Sequence, residues 1–111
     1  MKSIAIKTNR NTYFVRYTIN AHCEAEELLG FPITEIEGKT GFSVFRTILY
    51  IGLKYGGHRD MTLLKAGDIM QEIITDRGME YLSEVLSKAI QESISMEQER
   101  QFKQNVTKKK N

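Results

Sequence analysis

The sequence predicts an α+β domain, mainly helical, in which an N-terminal β-hairpin packs on about four α-helices and a polar C-terminal tail follows. Three observations carry this reading. The first 18 residues alternate apolar and polar side chains with a period of two, the strand signature. Four later segments repeat apolar residues with helical spacing. Residues 97–111 hold only two apolar side chains, Phe102 and Val106.

Ile4 and Ile6 share one face of the first strand, and Tyr13, Val15 and Tyr17 alternate in the returning run. Thr8-Asn9-Arg10-Asn11 lies between them as the turn. Its two asparagines suit a turn because they tolerate left-handed backbone angles. A two-stranded hairpin is marginal alone, so it must lean on helices. The first helix spans about Asn20–Leu29, capped by Thr18 or Asn20. Ala21, Ala25, Leu28 and Leu29 form its apolar side, and Gly30-Phe31-Pro32 stops it. Cys23 reads as a buried structural cysteine.

A connector with Gly38 and Gly41 leads to a helix over about Phe42–Tyr55, ending at Gly56-Gly57. Phe42, Phe45, Ile48, Leu49, Gly52 and Leu53 make one stripe, with Val44, Tyr50 and Ile51 around the rest. A helix apolar nearly all round is buried on several sides, so this one is expected at the centre. Gly52 within it suggests a close helix crossing. Thr62 caps a third helix over Leu63–Thr75. A fourth runs from Met79 to at least Ile94, with Leu82, Leu86, Ala89, Ile90 and Ser93 on one face. The reading is therefore one domain over residues 1–95, then 96–111 as a flexible tail or a frayed extension of the last helix.

Composition narrows function. The 111 residues carry a formal net charge of +2. Residues 97–111 hold five basic and two acidic side chains, and residues 1–96 hold 11 basic and 12 acidic. The body is thus nearly neutral, which disfavours nucleic acid as its partner. One cysteine excludes an internal disulfide framework and a thiolate zinc site. A reducing, intracellular setting fits best. No apolar run reaches membrane-spanning length, and Met1-Lys2-Ser3-Ile4 gives no signal peptide.

No catalytic, cofactor-binding or metal-ligating residue is assigned. His22 and Cys23 are neighbours in sequence and point about 100° apart on a helix, a poor nucleophile–base geometry. His22, His58 and Asp60 match no metal-ligand spacing. Gly38-Lys39-Thr40 lacks the upstream glycine of a phosphate-binding loop. Glu24, Glu26, Glu27, Glu35 and Glu37 read as a solvated face. The reading is non-enzymatic. The remaining signal is an apolar surplus in Phe42, Val44, Phe45, Tyr50, Ile51, Tyr55, Tyr81 and Met96. It fits either one well-filled core or a partner surface. The candidate partner or self-association residues are Phe42, Phe45, Tyr50, Tyr55, Tyr81 and Met96.

Four stretches in this order resemble a known family. They are Thr18–Gly30 after the hairpin, Phe45–Lys54 (FRTILYIGLK), Met61–Ile69 (MTLLKAGDI) and Met79–Ile90 (MEYLSEVLSKAI). Together they are similar to the tail assembly chaperones of long-tailed bacteriophages and related prophages, over roughly residues 3–95. The resemblance rests on order and spacing and offers no binding motif to carry over. It implies a small, non-enzymatic protein of the bacterial host cytoplasm that binds the tape measure protein and keeps it soluble while the tail tube protein assembles around it. It also implies self-association and no cofactor. The rival reading is a small DNA-binding regulator, winged or helix-turn-helix-like, with Thr62–Ile74 supplying one helix. Only Lys65 is basic there, beside Asp68 and Glu72.

Many such chaperones have a longer form made by ribosomal frameshifting. In the closing run Lys108-Lys109-Lys110-Asn111, the Lys-Lys-Asn of residues 109–111 is compatible with AAA-AAA-AAC, a slippery run. Reading the gene tests this: lysine codons ending in G remove the expectation.

Overall fold

The computed structural model describes residues 2–36, 38–39 and 41–110, with side chains through Ile94. The element order is β1 (Ile4–Lys7), β2 (Thr12–Val15), α1 (Ile19–Leu29), a 3-10 turn (Ile33–Glu35), α2 (Phe42–Tyr55), α3 (Leu63–Arg77) and α4 (Met79–Lys110). This is the hairpin-plus-four-helices architecture that the periodicities predict. No helix among the described residues is long and apolar enough to cross a membrane.

β1 and β2 pair antiparallel with Ile4 opposite Val15 and Ile6 opposite Tyr13. Because strand side chains alternate, this register puts all four on the face turned to the helices. Ile6 and Val15 are fully buried there. The turn closes through the Thr8 amide donating to the Asn11 carbonyl at 2.9 Å. Its asparagines do not use left-handed backbone, since no described non-glycine residue has positive φ. Their contribution is side-chain and amide bonding to α3.

α2 is the centre of the fold. It packs against α1, α3, α4 and β2. Ile48, Leu49, Ile51, Gly52 and Leu53 are all buried, which leaves almost no free side over that stretch. Burying one such aliphatic side chain contributes about 1.5–3 kcal/mol, so this helix dominates the core. Val44 and Phe45 pack at its edge, half-buried.

α1 begins at Thr18, whose hydroxyl accepts from the Ala21 amide at 3.1 Å. It lies against α2 through a narrow seam of Ala21, Ala25 and half-buried Leu29, an i, i+4 row. Small residues in that row allow close helix approach. Two expectations are corrected here. Leu28 lies off the seam and is 52% exposed. Cys23 is exposed, because two residues' rotation from Ala21 turns it to the far side of the helix.

α3 starts at Thr62, whose hydroxyl accepts from the Lys65 amide at 3.1 Å. It runs two residues past the expected end at Thr75 and stops at Gly78. Ala66, Met70 and Ile73 face the core, while Leu63 at the first turn stays partly exposed. α4 buries Leu82, Leu86, Ala89, Ile90 and Ser93. Its backbone helix continues past residue 95, the expected domain boundary, to Lys110.

Gly52 makes a close approach, but to the hairpin and not to another helix. A Cβ there would sit 2.5 Å from the Tyr17 hydroxyl and 3.0 Å from Val15 Cβ. At Gly56 a Cβ would sit 2.1 Å from the Phe14 carbonyl oxygen. That neighbour is backbone, so no rotamer change relieves the clash. Gly56→Ala is expected to destabilise the fold by roughly 2 kcal/mol or more, measured by urea denaturation. Gly57→Ala, which meets no neighbour but carries a φ of +119°, is the control for backbone strain alone.

Candidate functional site

A concavity of about 430 Å³ lies between the 3-10 turn, the start of α2 and α4. Ile33, Ile36, Phe45, Ile90 and Ile94 supply its apolar walls. The 3-10 turn positions Ile33 with its side chain buried in the core, and Ile36 follows as the chain leaves the turn. Ser83, Ser87 and Gln91 project from α4, and Thr34 and Lys39 from the connector, as polar surroundings. On α4 the spacing Ser83, Ser87, Ile90, Gln91, Ile94 is one helix face. Lys39 Nζ sits 4.8 Å from the centre of the Phe31 ring, a cation–π contact that holds the connector. An apolar centre edged by hydroxyls and amides is the anatomy of a protein-binding surface. No side chain in the groove pairs a nucleophile with a base, since its serines meet no imidazole or carboxylate among the lining residues.

The six residues expected at a partner surface are distributed among different surroundings. Phe45 lines the groove. Phe42, three residues earlier, is 73% exposed at the first turn of α2. Leu64 at 75% and Ile19 at 56% are further exposed aliphatics that the sequence reading did not single out. Tyr50 and Tyr55 flank Lys54, whose Nζ is 5.9 and 5.8 Å from their ring centres. Tyr81 serves the hairpin: its hydroxyl accepts from the Lys7 amide at 3.1 Å, and Arg77 lies over its ring at 3.9 Å. The side chain of Met96 lies outside the described residues.

Two polar clusters brace the body. Lys54 Nζ donates to both Glu24 oxygens at 2.9 Å, and the Tyr55 hydroxyl donates to Glu24 Oε1 at 2.9 Å. The bond to Glu24 is the main cause raising the pKa of both Lys54 and Tyr55. These contacts join α1 to the last turn of α2. Beside them, Arg16, Lys54, Tyr55, Gly57 and Arg59 line a second concavity of about 420 Å³. Its cations complement the C-terminus of α2, where Arg16 Nε donates to the Tyr55 carbonyl at 3.0 Å.

The second cluster centres on Glu72 of α3. Its carboxylate accepts from the Thr8 hydroxyl, from Asn11 Nδ2 at 3.0 Å and from the Tyr13 hydroxyl at 2.6 Å. Asp76, one turn on, accepts from the Asn9 amide at 2.9 Å. The donors hold Glu72 below the usual carboxylate range, the Thr8 bond foremost. Burial, and then the bond to Glu72, push Tyr13 up to about 12. Neither cluster was legible beforehand, because polar residues on solvated helix faces carry no periodic signal.

His58 packs its ring 6.2 Å from Tyr13, and His22 bonds to Ser93. Among the described residues no three His, Cys, Asp or Glu side chains gather as a metal-binding group. No family model, no curated protein and no solved structure matches this chain.

Glu72 contributes stability that is full above its ordinary pKa of about 4.5 and lost as pH falls through its depressed folded value. Glu72→Gln should therefore cost on the order of 1 kcal/mol at neutral pH. The difference from the parent should shrink below about pH 4 in urea unfolding.

Proposed function

We propose that this chain is a tail assembly chaperone of a bacteriophage or prophage, holding apolar segments of the tape measure protein in solution during tail tube assembly. The observation that carries the reading is the groove floored by Ile33, Ile36, Phe45, Ile90 and Ile94 beside the exposed start of α2. Its volume of about 430 Å³ accommodates a few aliphatic or aromatic side chains of a partner segment. The order of sequence stretches similar to that family supports the same role. Binding an exposed apolar segment lowers its free concentration, and so its aggregation, by mass action.

The DNA-binding alternative draws less support. α3, which would supply one helix of such a motif, uses Ala66, Met70 and Ile73 for the core and Glu72 and Asp76 for the hairpin turn. That leaves Lys65 as the only exposed cation before its last turn. A positively charged groove-reading face is what that class requires.

Coexpression with the large tail protein encoded beside the gene tests the proposal. Its soluble fraction should rise with the parent chain and fall back toward baseline with Ile94→Glu, a half-buried groove position. Solubility indifferent to the parent chain removes the proposal.

A further inference from the structure

Arg16 closes the C-terminus of α2 with only part of its side chain. Its Nε donates to the Tyr55 carbonyl at 3.0 Å, which sets the plane of the guanidinium. An arginine side chain has five N–H groups, so four remain on the two Nη atoms. These have no hydrogen-bond partner among the described residues and are not buried. Arg16 lines the concavity of about 420 Å³ together with Lys54, Tyr55, Gly57 and Arg59. Arg59 is exposed, on a turn that the Met61 amide closes by donating to the His58 carbonyl at 3.0 Å. Gly57 leaves its side open, since a Cβ there would meet nothing within 4 Å.

Three of the five lining residues are therefore cations. The one ion pair among the described residues neutralises only Lys54, through Glu24. The negative groups beside the concavity are already engaged. The Gly52 carbonyl accepts from the Arg16 amide, and the Leu53 carbonyl from the Gly56 and His58 amides. Glu24 is held by Lys54 and by the Tyr55 hydroxyl. Asp60, next to Arg59, is exposed and does not line the concavity. Capping the helix uses one N–H of Arg16 and none of Arg59.

We propose that Arg16 and Arg59 form an oxyanion site that takes a carboxylate or phosphate group in this concavity. A guanidinium meets such a group with two parallel N–H bonds. Arg16 arrives with its plane already set, so less side-chain freedom is lost on binding. Residues 1–96 hold 11 basic and 12 acidic side chains, so no long-range field gathers a polyanion. The ligand is one compact oxyanion, free or carried on an acidic side chain. The site shares no lining residue with the groove and stands whatever the groove binds.

An NMR titration of the full chain at constant ionic strength tests the site, read at the Arg16 Nε–H and at the Gly57 and Arg59 amides. The probes are inorganic phosphate and succinate, with chloride as the control. Phosphate or succinate should give saturable shifts at these three groups, and chloride should give none. Saturation by phosphate alone assigns the site to phosphate groups, and saturation by succinate assigns it to carboxylates. Arg59→Gln, a change on an exposed turn, should weaken binding several-fold. Lys65→Gln removes the same charge from an exposed position on α3 and should leave the affinity at the parent value. Shifts that fail to saturate, or that chloride reproduces, overturn the proposal. So does an Arg59→Gln variant that binds as the parent does, or an equal weakening in Lys65→Gln.

Discussion

The end of β2 completes the C-terminus of α2, and the rest of the molecule is arranged around that junction. A helix leaves its last carbonyls without partners. Here the Arg16 amide donates to the Gly52 carbonyl at 3.0 Å and Arg16 Nε donates to the Tyr55 carbonyl, while one turn further back the Tyr17 hydroxyl adds a bond to the Ile48 carbonyl within the helix at 2.8 Å. Strand and helix can come this close only because Gly52 and Gly56 present no side chain. The same contact covers one edge of a two-stranded sheet that would be marginal alone. It also seats Tyr17 in the core between the hairpin and the helices.

That junction explains why α2 has so little free surface and why the groove lies where it does. The hairpin takes the C-terminal half of α2, and α1 and α3 also pack on it. Phe45, nearer the N-terminus, is left to meet Ile33, Ile36 and the far part of α4 at the groove. The apolar surplus thus divides. Ile51 is wholly core, Phe45 lines the groove, and Phe42 is left in solvent.

The sequence made the elements legible because each has its own period, and α2 stood out because it is apolar on nearly every side. Thr62 as the cap of α3 was equally readable, and Thr18 was one of two candidates for α1. What escaped was partner choice. Gly52 announced a close approach without saying to what, and the answer was a strand. Leu28 shares a helical side with Ala21 on a wheel, yet Leu29 makes the contact, because the seam follows the i, i+4 row. Cys23 is exposed despite a residue type that favours burial. The groove draws on residues 33–39, 45 and 83–94, so no local pattern could contain it.

The bracing of the hairpin turn also orders events in time. Tyr13 and Glu72 are 59 residues apart, and Lys7 and Tyr81 are 74 apart. A chain leaving the ribosome therefore presents both strands long before α3 and the start of α4 exist to fasten them. Pairings that span such separations are slow to form, because closing the intervening loop costs entropy before any contact repays it. The first residues to be synthesised are thus among the last to be locked, and nascent chains stopped before Glu72 lack the carboxylate that ties the turn.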